Sequence, residues 1–439
     1  MQILKFGGTS VGRPERMKAV ASIISRNDEP KIVVLSALSG TTNALVGIGN
    51  ALSNDQKDLA KKEIADLKAH YQTFIKALLS TEEKQKEAVE IIDEHFEFFG
   101  ITLKISFNEA LNRDILAQGE LMSTKLFTLY LQEVGIDAAL LPALEFMRTN
   151  EEGEPDLKRI SKGLTEKLKT YGNTKLLITQ GFICKNHRNE IDNLHRGGSD
   201  YTASLIGAAI KASEIQIWTD IDGMHNNDPR VVDKTFPIAE LSFDEAAELA
   251  YFGAKILHPA SIWPAQKYGI SVKLLNTMQP EAKGTVISKS TNSDDVKALA
   301  AKDGITAIKI KSSRMLLAHG FLRKIFEIFE KYKTSIDMIT TSEVAVSVTI
   351  DEDEHLDKIV KELSQLGLVE VDNNQTIICV VGNFVAERKG IVSKIFEALD
   401  EVPIRMISYG GSRHNISLLT DSTHKEISLK RLNEHLFGL

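Results

Sequence analysis

Short runs of branched apolar residues recur through the first two thirds of the chain, at 2–6, 31–36, 138–141, 175–179, 214–219 and 271–275. Between them lie stretches of helical period, such as Ile64, Leu67, Tyr71, Phe74, Ile75 and Leu78, or the segment opening at Ser199-Asp200. That alternation predicts an α/β fold, a three-layer sandwich with a mainly parallel sheet covered by helices on both faces. Ligands of such a sheet sit beyond the carboxyl ends of its strands. The stretch 56–99 is almost all amphipathic helix and reads as an insertion that packs against the rest.

Polar and chain-breaking residues cluster at 280–295, which sets a boundary there. Beyond it the chain nearly repeats itself. Gly320 with Lys324-Ile325-Phe326-Glu327 matches Gly390 with Lys394-Ile395-Phe396-Glu397, and Ile336, Met338 and Ile339 match Ile404, Met406 and Ile407. Each copy then runs into an alternating strand, at 344–350 and 415–419. The expected organisation is a catalytic domain over 1–290, then paired α+β modules over 298–439, the first at about 312–370 and the second at about 375–439. Residues 298–311 are candidates to complete the second module.

Charge narrows the partners. With 53 Lys and Arg against 60 Asp and Glu, the net charge is -7, which offers neither nucleic acid nor an anionic membrane a basic footprint. The long uncharged run at 32–54 carries Ser36, Ser39, Thr41, Thr42, Asn43 and Asn50, too many polar groups for a membrane span. No secretory pattern opens the chain, and Cys184 and Cys379 show no metal or redox spacing. These features predict a cytoplasmic protein that binds small molecules. The eleven histidines show no ligand spacing, so none is assigned to a metal.

The first strand runs into Lys5-Phe6-Gly7-Gly8-Thr9-Ser10, whose glycines let the backbone approach a ligand and whose N–H groups can hold phosphate. It is not a Walker loop, because Gly7 leads to Gly12-Arg13-Pro14. A second glycine pair, in Arg196-Gly197-Gly198-Ser199-Asp200, opens a helix and offers an anion its positive end.

Together with Ala117-Gln118-Gly119-Glu120-Leu121-Met122-Ser123-Thr124, Trp218-Thr219-Asp220, Asn227-Asp228-Pro229-Arg230-Val231-Val232 and Phe252-Gly253-Ala254-Lys255-Ile256-Leu257-His258-Pro259, these loops resemble the aspartate kinase family, in its motif order. The fold implied is that of the amino acid kinases, and the terminal modules resemble paired ACT domains. The activity implied is ATP-dependent phosphorylation of the β-carboxylate of L-aspartate, the first step toward lysine, threonine and methionine, with Mg2+ carried by the nucleotide. The resemblance makes Lys5 and Asp200 catalytic. It places Lys5, Gly7, Gly8, Ser10, Thr219, Asp220, His225, Asp228, Arg230 and Lys255 around ATP, and Ser36, Thr42, Glu120, Phe182, Arg196, Gly198 and Ser199 around aspartate. Read singly, Asp200 is also a helix cap and Asp228-Pro229-Arg230 also a turn; joint occurrence in order is what assigns them. His195 and His225 depart from the family pattern.

Between the two modules, Asp337 aligns with Arg405 and Glu343 roughly with Arg413, so the first site is acidic where the second is basic. An acidic pocket favours a ligand bearing ammonium groups, L-lysine over threonine. Resemblance to the lysine-sensitive class implies effector contacts at Met315, Phe321, Leu322, Ser335, Ile336, Asp337, Thr341 and Glu343, and a homodimer or higher oligomer through the ACT modules. A catalytically weak lysine-sensing regulator with the kinase fold is the alternative.

Overall fold

The computed structural model describes residues 1–194, 197–253, 257–289, 295–312 and 319–439. The chain forms two compact units, one of residues 1–224 and 257–290, the other of residues 225–256 and 291–439.

In the first unit the apolar runs become β1 (Gln2–Phe6), β2 (Lys31–Leu35), β3 (Ala139–Leu140) and β4 (Leu176–Gln180). The small antiparallel pair β5 (Ile183–Lys185) and β6 (Ile191–Asn193) precedes β7 (Glu214–Thr219). After β8 (Glu240–Ser242), which belongs to the second unit, come β9 (Val272–Asn276) and β10 (Thr285–Ser288). The first unit's strands lie in the order β3-β4-β2-β1-β7-β9-β10, parallel throughout except for β10 against β9. β2 and β4 are buried at every position, as strands covered on both faces must be.

One face of this sheet presents Leu4, Phe6, Val33, Leu35 and Ile178 to a core shared with helices Pro14–Ile24, Thr41–Ser53, Lys57–Leu78, Glu82–Thr102 and Glu109–Glu133. Helix Gly198–Ile210 packs on β1, β2 and β7 and is flanked by helices Leu157–Thr170 and Pro259–Tyr268. The insertion is a pair of helices, Lys57–Leu78 and Glu82–Thr102, and it drives Tyr71, Phe74, Ile75, Phe96 and Phe99 into the first core. Each such aromatic contributes about 1.5–3 kcal/mol on burial, enough to anchor helices whose outer faces are charged. The run at 32–54 resolves into strand, turn and helix, and no described helix is long and apolar enough to cross a membrane.

The second unit is built on one antiparallel sheet: β11 (Val296–Lys311), β12 (Ile339–Thr341), β13 (Ala345–Ile350), β14 (Leu368–Gly382), β15 (Met406–Ser408) and β16 (Asn415–Asp421), in the order β12-β13-β11-β14-β16-β15. β11 and β14 pair along their length, with register shifts between Lys302 and Ala307. Beyond the shift, β11 pairs with β13 and serves the first module; before it, β11 pairs only with the half of β14 that carries β16. The first module is thus inserted between a strand of the second and the rest of it. Each half has its own core, one under helices Phe321–Lys331 and Leu356–Leu363, the other under Ile391–Ala398 and Lys425–Phe437.

Segment 225–256 packs with these modules. Asn226 and Asn227 donate to the Asn433 side chain, and helix Phe243–Tyr251 starts in a Ser242/Glu245 capping box.

Candidate active site

The carboxyl ends of β1 and β2 meet the start of helix Gly198–Ile210. Lys5 Nζ lies 2.6 Å from Asp200 Oδ1, with both side chains largely buried. The turn after β1 is crowded at Gly8, where a Cβ would stand 3.1 Å from the Ala37 carbonyl oxygen, while a Cβ on Gly7 would face Lys5 Nζ at 3.4 Å. Gly197, at φ 71°, caps the helix, and a Cβ on it would meet Ser261 Cβ at 2.7 Å. Ser10, expected at phosphate, is fully buried, and its hydroxyl is engaged by Thr277 Oγ1 at 2.8 Å. Its side chain holds the turn against the loop after β9.

Beside the lysine, Ser36 Oγ donates to Ser199 Oγ at 2.9 Å, and Ser123 Oγ donates to the Ser36 carbonyl at 2.9 Å. Glu120, one turn earlier on the Ser123 helix, is 5% exposed and accepts from the Ala37 N–H at 3.2 Å. Burial pushes its carboxyl up to about 8, against the weaker pull of the Ala37 hydrogen bond. Tyr71, from the helical insertion, is fully buried with its hydroxyl 3.3 Å from Thr41 Oγ1. Thr42 is exposed in the first turn of helix Thr41–Ser53. Phe182 holds φ 65°, uncommon for a side chain of its size, with its N–H bound to Thr202 Oγ1 at 2.9 Å. A Cβ on Gly198 would lie 3.8 Å from its ring. Lys5, Asp200, Ser36, Ser199, Glu120, Phe182 and Gly198 therefore converge.

The nucleotide candidates divide. Thr219 ends β7 and Asp220 follows it, their side chains 3.2 Å apart. His225, Asp228 and Arg230 belong to the second unit. There the Arg230 guanidinium forks onto the Asp228 carboxylate at 2.9 and 2.7 Å, which holds Asp228 below the usual carboxylate range. His225 Nδ1 lies 2.9 Å from Thr235 Oγ1. Arg196, Lys255 and Met315 lie outside the described residues. Among the described residues no three His, Cys, Asp or Glu side chains gather as a metal cluster.

The effector candidates also divide. Phe321 is a core residue of the first module and Ile336 packs against that core, whereas Leu322, Ser335, Thr341 and Glu343 are exposed. Asp337 is neither solvated nor free: its side chain is 1% exposed, 2.8 Å from Lys302 Nζ and 2.7 Å from the Tyr251 hydroxyl.

Against known proteins, the chain matches the amino acid kinase family over residues 1–276 and the ACT domain over residues 378–436. It is 35% identical over 447 aligned positions to lysine-sensitive aspartokinase 3 of Escherichia coli (strain K12), with 99% of each chain covered. The chain belongs to the aspartokinase family. Aspartokinase 3, chloroplastic, of Arabidopsis thaliana is 36% identical over 463 positions, covering 99% of this chain and 81% of that one. Crystal structures of E. coli aspartokinase III, one with aspartate and ADP and one with lysine and aspartate, superpose at TM-scores of 0.85 and 0.83 and 34% identity, covering all of this chain and at least 99% of each.

In this aspartokinase several supporting residues escaped the sequence reading. A Cβ on Gly181 would stand 2.2 Å from Ser199 Oγ, so that glycine admits the Ser36–Ser199 contact. Ser123, Thr202, Thr277 and Lys302 act through partners far away in the chain. Of these, Ser123 stands inside the Ala117–Thr124 motif, and Gly181 carries a local signal as the glycine that follows β4.

Proposed function

We propose that this aspartokinase transfers the γ-phosphoryl group of ATP to the β-carboxylate of L-aspartate, giving 4-phospho-L-aspartate at the head of lysine, threonine and methionine synthesis. The observation that carries the reading is the pairing of Lys5 with Asp200 beside the buried Glu120. The attacking carboxylate is ionised at neutral pH and needs no general base. The difficulty is charge, since an anion must approach a triphosphate. Lys5, tethered by Asp200, supplies a fixed cation to the transferring phosphoryl group, and the small turn at Gly7 and Gly8 lets phosphate oxygens approach backbone N–H groups. Glu120 receives the α-ammonium, and Arg196 is the candidate fork for the α-carboxylate. Magnesium carried on the nucleotide would draw charge from the phosphate oxygens beside Lys5.

The catalytic part is read as residues 1–290 and the regulatory part as 298–439, with L-lysine as feedback inhibitor at the first module. Exposed apolar residues at the sheet's outer strands, including Ile339, Val344, Ile407 and Tyr409, favour a homodimer or larger assembly through the ACT sheets. Two buried, unpaired thiols suit a reducing cytoplasm. The regulator alternative gains nothing from a site that keeps Lys5, Asp200 and Glu120 together. Titrating L-lysine, threonine and methionine into aspartate-dependent ADP formation tests the reading; it predicts inhibition by lysine first, and a response to threonine alone refutes the effector assignment.

A further inference from the structure

Asp337 carries an unusual load for a sensor residue. Its Oδ1 accepts from both Lys302 and Tyr251, while its Oδ2 is buried with no hydrogen-bond partner. A buried carboxylate with an unused oxygen has room for one more donor. Lys302 in turn is 2.8 Å from Asp337 and 2.8 Å from Asp351, so its ammonium already bridges two carboxylates. Burial pulls this lysine down, and the two carboxylates outweigh it and hold it above its ordinary value.

The second module repeats the trio with the sign of the pair reversed. Lys302 stands opposite Ile377 in the ladder and Asp372 opposite Ala307, the equivalent place in the other half. Asp372 pairs with Arg405, the counterpart of Asp337, and Asp421 ends β16 as Asp351 follows β13. There the partners are 51% and 43% exposed, whereas Lys302 and Asp337 are 18% and 1% exposed. Only the first module buries its pair and leaves an oxygen open.

We propose that Lys302 is a tethered stand-in for the ammonium of a diamino effector at Asp337, and that effector binding moves it from Asp337 wholly onto Asp351. The inference rests on the reading of the first module as the lysine site. In the empty site one ammonium is shared by two carboxylates, and the effector's ammonium brings the pairing to one each, so Asp337 is in neither state an unpaired buried carboxylate. Lys302 already touches its second partner, so a small rotation completes the exchange. The exchange is felt next door. The Tyr251 ring lies 4.6 Å from Lys302 Nζ, and Gly253 packs so closely on β11 that a Cβ there would stand 2.3 Å from the Ala301 carbonyl oxygen. Residues 251–253, which lead into the Lys255 motif, therefore rest beside the exchanging pair.

Calorimetric titration of L-lysine into the full-length protein and two variants tests this. Lys302→Met, which removes the competitor, binds lysine about tenfold more tightly, and Asp351→Asn, which denies the displaced ammonium its second carboxylate, binds it about threefold to tenfold more weakly. Unchanged or weaker binding by a folded Lys302→Met protein overturns the inference. Should that variant fail to fold, Asp351→Asn decides alone, because it keeps the Lys302–Asp337 pair; unchanged or tighter binding refutes the exchange. If the unmodified protein binds no lysine, the effector reading itself fails, whereas unchanged affinities in the variants defeat only the exchange.

Discussion

Lys5 Nζ sits 2.6 Å from Asp200 Oδ1, tying the end of β1 to the first turn of helix Gly198–Ile210. The contact fixes a cation where a parallel sheet places its ligands. Lys5→Ala should lower kcat by about 10²–10³-fold with a smaller change in the aspartate KM, because the lost charge acts chiefly on the transition state. Asp200→Asn keeps the cation but slackens its tether and should cost less. Steady-state ADP release, with aspartate and ATP varied separately, checks both.

Glu120 gives a pH signature. With its carboxyl at about 8 in the empty site, it is mostly protonated at pH 7, and an arriving ammonium favours the ionised form. Aspartate binding at pH 7 should therefore release close to one proton, and the aspartate KM should fall as pH rises from about 6 to 8. Binding heats in two buffers of different ionisation enthalpy measure the release, and Glu120→Gln should abolish it. The stability sign is opposite to that of a paired surface acid. A folded pKa raised from 4.5 to about 8 means that the folded chain holds the proton longer, so stability falls as pH climbs through that window. Glu120→Gln should melt above the unmodified protein at pH 8.5 and close to it at pH 4.5.

Gly181→Ala should damage fold and site together. Its Cβ would meet Ser199 Oγ at 2.2 Å and Ser199 Cα at 2.9 Å, contacts that rotation of the serine alone cannot relieve. A loss of about 1–3 kcal/mol in urea unfolding and at least a tenfold drop in kcat/KM for aspartate are expected. Full activity would show that the strand end shifts freely.

Tyr251→Phe should separate sensing from response. The hydroxyl donates to Asp337, yet the ring and its helix remain, so lysine binding should change less than about threefold. Inhibition at saturating lysine should weaken clearly, with activity in its absence kept. Parallel loss of binding and inhibition would make Tyr251 a part of the pocket instead.

Much of this architecture was legible because it is written locally. The runs at 2–6, 31–36, 175–179 and 214–219 are apolar and bounded by turns, and they became β1, β2, β4 and β7 nearly residue for residue. The repeat around Lys324 and Lys394 announced two similar modules, with 298–311 as candidates to complete the second; that the later part of this strand also pairs with β13 of the first leaves no mark on local periodicity. Lys5, Asp200 and Glu120 were found because they stand in motifs. Ser10 stands in the same turn, and a serine after a Gly-Gly pair looks the same in sequence whether its hydroxyl faces phosphate or, as here, Thr277. Lys302 was passed over because an isolated strand lysine gives no hint that two carboxylates close around it.

Acyl phosphate formation on aspartate defines the proposed activity. Purified protein with magnesium ATP, L-aspartate and hydroxylamine should yield aspartyl hydroxamate in step with ADP, at a rate about 10²–10³-fold lower for Lys5→Ala and with little from L-glutamate. ADP release without hydroxamate, or hydroxamate from glutamate but not aspartate, would contradict it.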